Sequence, residues 1–311
     1  MDLPSIMELQ AAHKTLAEWH YDLHPVYRGY ANRTLYINLS DQTIAEKPVD
    51  QKMKDTFTGG RGFGLWLLWN GITPQTRWNS PENEIVIAGG PIGGITAYPG
   101  SGKMTSVTIS PLTGCPIDSN GGGHFGPYLK FSGWDALEIQ GKSEKEVIIY
   151  IDGDEGLVQI VEAPLEAIDT HLVIRQMTDM FSKDPKDMRN ISVISTGQAA
   201  DHVSICGLNI SYYDPHRQEV RVKQAARGGT GRVFRDKHIK AIVVHYSETG
   251  GDSNGVADLE LIRKTGRTIN KDITEFDGSQ NDMRHTGTPY LIEIMNRFDL
   301  LPVQNCRYGS D

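Results

Sequence analysis

Five glycine-rich segments hold the residues of this chain whose types and spacing could do chemistry: Gly59-Gly60-Arg61-Gly62-Phe63-Gly64, Gly89-Gly90-Pro91-Ile92-Gly93-Gly94, Gly100-Ser101-Gly102-Lys103, Asn120-Gly121-Gly122-Gly123-His124-Phe125-Gly126, and Ala225-Ala226-Arg227-Gly228-Gly229-Thr230-Gly231-Arg232. Runs of small residues let backbone N–H groups converge on one point, and a following helix start adds its positive end, which favours an anion, most often phosphate. The last segment leads into residues that read as a short helix and then a strand ending at Val244. Taken singly, each cluster reads as a turn that needs positive φ. Four of the five, however, carry a cationic or amide side chain, namely Arg61, Lys103, Asn120 and Arg227, and Lys223 lies just before the last. Phosphate needs such donors, so the expectation is a chain built around a phosphate-bearing ligand.

Familiar nucleotide loops do not account for these segments. Before Gly102-Lys103, Ala97 occupies the place of the first P-loop glycine, and Met104 replaces the hydroxyl residue that holds magnesium. The run Gly60-Arg61-Gly62-Phe63-Gly64 is followed by Leu65 where a dinucleotide-binding loop needs its last glycine. No Gly-x-Ser-x-Gly elbow, His-Glu-x-x-His pair or calcium loop is present. Histidines 13, 20, 24, 171, 202, 216, 238 and 285 read as surface or packing residues, whereas His124 stands apart because it lies inside a glycine cluster. Cys115, Cys206 and Cys306 form no CxxC and have no histidine at metal-site spacing, so no disulfide framework is expected, and Cys306 reads as an ordinary thiol.

The elements that must position these loops read as an α+β fold. Apolar residues at 3, 6, 9, 16, 19 and 23 fall at helical intervals and predict an N-terminal helix over 3–23. Strands are expected at 35–39, 43–46, 84–90, 104–110, 136–140, 147–151, 156–161, 191–195 and 203–208, and helices at 50–57, 63–69 and 167–181. Strands with few crossover helices predict a mixed or antiparallel sheet rather than a doubly wound parallel one. A polar stretch from His245 to Val256 reads as a boundary, and 258–270 and 288–298 read as helical. The expected organisation is therefore an N-terminal helical extension (1–25), a β-rich domain (26–248) and the incomplete start of a helical domain (256–311). A net charge of −8 excludes broad nucleic-acid or anionic-membrane binding, so any anion site must be local. With no long apolar run and no signal-peptide pattern, the expected location is the cytoplasm.

Several longer motifs then stand together in one order. They are Gly60 to Gly64, Ser80-Pro81-Glu82-Asn83 leading into Ile85 to Pro91, Ser110-Pro111-Leu112-Thr113-Gly114, Asn120 to Gly126, Leu129-Lys130-Phe131-Ser132-Gly133-Trp134-Asp135-Ala136, and Ala226 to Gly231 with Lys240-Ala241-Ile242. In order and spacing they resemble the aldehyde ferredoxin oxidoreductase family over about 29–244, and Gly287-Thr288-Pro289 to Asn305 resembles the start of that family's helical part.

The resemblance implies a two-sheet β-rich base that cradles tungsten, or molybdenum, held by two pterins. A magnesium ion would bridge their phosphates, and a 4Fe–4S cluster would sit nearby on ligands outside this segment. By position, Asn120 and Gln224 would offer backbone carbonyls to the magnesium, Gly121 and Gly122 would let the phosphates approach, and Arg227 would bind pterin or phosphate. Arg61, Gly62, Lys103, Lys223, Ala226 and Gly228 would share that surface. Lys103 and Lys223 stand where the family commonly has arginine, which keeps the charge but loses the planar fork.

The implied reaction is two-electron oxidation of a small aldehyde to a carboxylic acid. Electrons would pass to ferredoxin or an iron–sulfur partner subunit in a homo- or hetero-oligomer, with neither nucleic acid nor a membrane involved, in an anaerobic setting. An aromatic-thioester reductase of the same family and a non-catalytic scaffold subunit are the alternatives. A truncated enzyme, half of a split enzyme and a stand-alone scaffold all fit the chain's extent.

Overall fold

In the computed structural model the described residues are 8, 11, 13–163, 169–249, 253–275, 283 and 285–311. Alternation along the strands explains the layering. In Val147–Asp152, Ile149 and Ile151 face one core while Ile148 faces another, as a period of two requires when both faces of a sheet are covered. Thirteen strands, numbered along the chain, form two mixed sheets among the described residues. The six-stranded sheet runs β3 (Thr43–Pro48), β2 (Arg33–Asn38), β7 (Ala136–Gln140), β4 (Ile85–Gly89), β5 (Met104–Ile109), β6 (Pro116–Gly121). The seven-stranded sheet runs β1 (Lys14–His20), β9 (Leu157–Glu162), β8 (Val147–Asp152), β13 (Ile239–His245), β10 (Ile191–Ser195), β11 (Leu208–Asp214), β12 (Glu219–Ala225). Only β2 with β7 and β8 with β13 pair in parallel; the other pairs are antiparallel.

The main core lies between the sheets. Leu35, Ile37, Ile85, Ile87, Leu137 and Ile139 meet Ile149, Ile160, Ile194, Ile210 and Ile242, with Phe125 and Leu129 of the Phe125–Phe131 helix filling in. On the outer face of the larger sheet, the Thr170–Phe181 helix packs Val173, Ile174 and Met177 against Ile148, Val193 and Val243. On the outer face of the smaller one, Met53, Phe63 and Leu68 cover Val86, Ala88 and Val107.

The chain divides into two compact units, Met1–Ile95 with Gly100–Ala257, and Thr96–Pro99 with Asp258–Asp311. The second contains the Leu259–Glu275 helix, in which Gly266 lies against the carbonyl of Ala97 so closely that a side chain could not fit there.

Two expectations are corrected. Residues 14–20 are a strand, not the middle of a helix over 3–23, whose first residues lie mostly outside the described ones. Leu16 and Trp19 matched helical spacing, but β9 supplies an open antiparallel edge, and a register shift between Thr15 and Ala17 lets Leu16, Ala17 and Trp19 all lean on the core. The strand expected at 203–208 begins instead at Leu208, and Val203 and Ile205 are exposed. β6, β12 and the Phe125–Phe131 helix had no apolar signature because β6 and β12 are sheet edges and the helix is short and begins in a glycine cluster.

Candidate cofactor site

The edge strands β6 and β12 meet where the two sheets close on each other, and the glycines make that approach possible. A Cβ on Gly121 would stand 2.6 Å from Ile210 Cδ1 and 3.4 Å from Ala225 Cβ, and one on Gly122 would lie 3.7 Å from Lys223 Cγ. Gly228 has φ +69°, and a Cβ there would run into the Ile117 side chain. Hydrogen bonds lock the same seam: the Arg227 amide donates to Ser119 Oγ at 3.0 Å, and Ser110 Oγ donates to the Gly228 carbonyl at 2.7 Å. Residues 117–122 and 223–228 thus face each other in opposite directions.

The polar residues singled out by sequence gather along this seam. Arg61 Nη2 lies 2.9 Å from Asp118 Oδ2, and Asn120 Nδ2 donates to the same oxygen at 3.4 Å. Thr105 Oγ1 donates to Asn120 Oδ1 at 3.1 Å, fixing the amide across the β5–β6 ladder. A Cβ on Gly102 would come within 3.4 Å of the Gly123 carbonyl, and one on Gly126 within 3.6 Å of the Lys103 carbonyl, so the third and fourth glycine clusters touch. The Gly60 amide donates to the Gly89 carbonyl at 2.9 Å, which joins the first and second. Cβ atoms on Gly89, Gly90 and Gly100 would meet nothing within 4 Å, so the space beside them is open.

Electrostatically the rim is positive on an acidic molecule. Lys103, Lys223, Gln224, Ala226 and Arg227 are exposed. Among the described residues no carboxylate pairs with Lys103, Lys223 or Arg227, and Lys223 Nζ lies only over the Tyr212 ring, 5.6 Å from its centre. One expectation changes. The Thr230–Asp236 helix does not turn its first amides to solvent, because Thr230 is fully buried and the Gly231 amide donates to the Cys206 carbonyl at 2.8 Å. At this junction the exposed groups are those of Ala226 and Arg227, before the helix.

Other motif residues hold the scaffold. Lys130 and Asp135 form a buried ion pair, Lys130 Nζ also donates to the Gly29 carbonyl at 3.0 Å, and Asp135 accepts from the amides of Ala31 and Asn32 at 3.1 and 2.7 Å. Every charged atom is satisfied, as a buried pair requires.

Sequence reading passed over His245, at the end of β13. Its Nδ1 lies 3.3 Å from Asp152 and 3.5 Å from Asp154, and its Nε2 lies 3.0 Å from Asp187. Despite the burial that opposes it, hydrogen bonds to Asp152 and Asp187 raise its pKa to about 9. Asp152, Asp154 and His245 are close enough to surround a cation, but both ring nitrogens are engaged as an imidazolium would engage them. No sequence signal marked this histidine, since its partners are 58 to 93 positions away. Ser119, Thr105 and Asp118 were also missed; their β-ladder register beside Asn120 was the signal available.

Two packed mixed sheets with a glycine-lined, cation-rimmed seam define an α+β domain. The description "Aldehyde ferredoxin oxidoreductase, N-terminal domain" matches residues 34–246, and the chain belongs to that family. It is 33% identical over 281 residues to the tungsten-containing aldehyde ferredoxin oxidoreductase of Pyrococcus horikoshii, covering 90% of this chain and 43% of that protein. It is 30% identical over 227 residues to the aliphatic sulfonate oxidoreductase, WOR-like subunit, of Pyrococcus furiosus, covering 70% of this chain and 35% of that one. The chain therefore spans less than half the length of these relatives. Among solved structures, it resembles the active site complex BamBC of benzoyl coenzyme A reductase with 1,5 dienoyl-CoA, at 28% identity and a TM-score of 0.59 over 71% of this chain and 31% of that one. No described helix is long and apolar enough to cross a membrane.

Proposed function

We propose that this chain is the cofactor-cradling part of a tungsten-dependent oxidoreductase that oxidises an aldehyde to a carboxylic acid. The supporting observation is the gathering of Lys103, Lys223 and Arg227, without acidic partners among the described residues, on one glycine-lined seam of a chain whose net charge is −8. That donor set fits pterin phosphates: side-chain cations supply the charge, Gly121 and Gly122 bring backbone close, and the space beside Gly89, Gly90 and Gly100 is free.

A bound tungsten or molybdenum bis-pterin supplies the two-electron redox chemistry, while the protein supplies orientation and electrostatics. Arg227 and Lys103 hold phosphate or pterin by charge-assisted hydrogen bonds. Lys223 and Arg61 set the charge of the rim. The backbone of Gly62, Ala226 and Gly228 shapes it, and the backbone carbonyls of Asn120 and Gln224 would hold a magnesium ion. None of these residues acts as a general acid or base. A 4Fe–4S cluster, where bound, would supply one-electron transfer towards ferredoxin or a partner subunit in the cytoplasm.

Arg227→Ala in the complete protein tests the reading. Because this side chain is exposed, tungsten and pterin per chain fall while the thermal midpoint stays within the range of a surface substitution. Unchanged cofactor content would sink the assignment of the seam. The likeness to the benzoyl coenzyme A reductase complex favours a second reading, reduction of an aromatic thioester. Turnover of benzaldehyde against benzoyl-CoA separates the two.

A further inference from the structure

We propose that His124 is held by Tyr128 as the Nδ1–H tautomer, so that its Nε2 lone pair accepts a hydrogen bond from an N–H group of the cofactor's pterin ring. This rests on the cofactor reading above, and the geometry behind it lies within the chain. Tyr128 has one hydroxyl proton, and its oxygen lies 2.7 Å from the Arg189 carbonyl and 3.1 Å from His124 Nδ1. A carbonyl oxygen can only accept, and two oxygens at that distance repel unless a proton lies between them. The Tyr128 proton therefore goes to Arg189, and the contact with His124 is closed by Nδ1–H donating to the phenol oxygen. An imidazole with its proton on Nδ1 carries a lone pair on Nε2.

Burial supports the neutral form, since desolvation lowers the His124 pKa, and desolvation likewise pushes the Tyr128 phenol up to about 12, so it keeps its proton. The ring is braced as well as tethered. It meets Tyr212 edge to face at 5.8 Å, and the His124 amide donates to the Ser211 carbonyl at 3.4 Å. Tyr212 is also the ring beneath Lys223 Nζ, which ties the histidine to the cationic rim. Among the described residues Nε2 has no hydrogen-bond partner, and the residue follows directly on Gly121-Gly122-Gly123. The cations of the seam recognise phosphate; a neutral acceptor beside them recognises a ring donor instead. In this scheme Tyr128 is a positioning residue, acting on the cofactor only through His124.

The test uses the complete, cofactor-loaded protein labelled with 15N-histidine, with the His124 signal assigned from its loss in the variants. The nitrogen shifts are expected to show Nδ1 protonated in the parent, with Tyr128→Phe releasing the ring to the Nε2–H form. Pterin retained through gel filtration provides a second readout. His124→Gln keeps an acceptor at similar reach and retains pterin, whereas His124→Asn and His124→Phe lose it about five- to ten-fold faster, the effect of one hydrogen bond. Nε2–H in the parent, or equal retention in all three variants, overturns the inference. Arg227→Ala separates the two levels. If it loses pterin while the His124 variants do not, only the histidine role fails; if it also keeps pterin, the reading of the seam fails with it.

Discussion

His245 makes the stability of this domain depend on pH in a direction the structure dictates. The ring sits among Asp152, Asp154 and Asp187 with its side chain 1% exposed, and its pKa is raised from 6.5 to about 9. A histidine that binds its proton more tightly when folded stabilises the fold fully below pH 6.5, and that contribution disappears as pH rises through about 9. At ~1.4 kcal/mol for each unit the contribution is about 3 kcal/mol. The carboxylates share this interaction, so it is counted once. Burial holds Glu84 protonated to about pH 8, which also erodes stability as pH rises. The quantity to measure is therefore the difference between the parent and His245→Gln. Urea unfolding at several pH values should show the parent ahead at pH 6, with the gap narrowing by about 3 kcal/mol by pH 10. A gap that stays constant across that range refutes the reasoning. The same ion pair holds the Asp187–Asn190 turn, whose Arg189 carbonyl receives Tyr128, so His245→Gln should also loosen the His124 ring.

Glu84→Gln, which removes a carboxyl that burial holds at about pH 8, should raise the unfolding midpoint more at pH 9 than at pH 6; equal gains at both would contradict the assigned titration. Lys130→Met strands Asp135 in the core and should cost about 3–5 kcal/mol in denaturant unfolding, with Lys130→Met/Asp135→Leu recovering part of it; a single variant as stable as the parent would mean the pair is not buried. Gly228→Ala combines left-handed backbone with a collision against Ile117 and should lower stability by at least the ~1–2 kcal/mol of the backbone alone, so a neutral result would rule out the seam geometry. Lys103→Ala should reduce pterin per chain with little change in unfolding midpoint, while Lys103→Arg retains it; equal loss in both would place Lys103 in the scaffold rather than at the ligand.

Local chemistry made the glycine clusters, their cations and the apolar strands legible in one dimension, because each depends on residues that are neighbours in sequence. Leu35-Tyr36-Ile37 alternates whatever it pairs with, and a Gly-Gly turn needs no distant partner to bend. The long motifs made the family legible in the same way. Tertiary structure decided what depends on a partner far along the chain. Residues 14–20 are a strand because β9 offers an edge, an outcome that local helical spacing could not anticipate. β12 is a strand, despite its polar sequence, because β11 pairs with it along seven residues. Only folding sets Gly121 on Ala225, hands Tyr128's proton to Arg189 and gathers three aspartates round His245. Composition and spacing determined which residues this protein could use; long-range strand pairing determined which of them meet, since contact between distant positions is a property of topology rather than of local sequence.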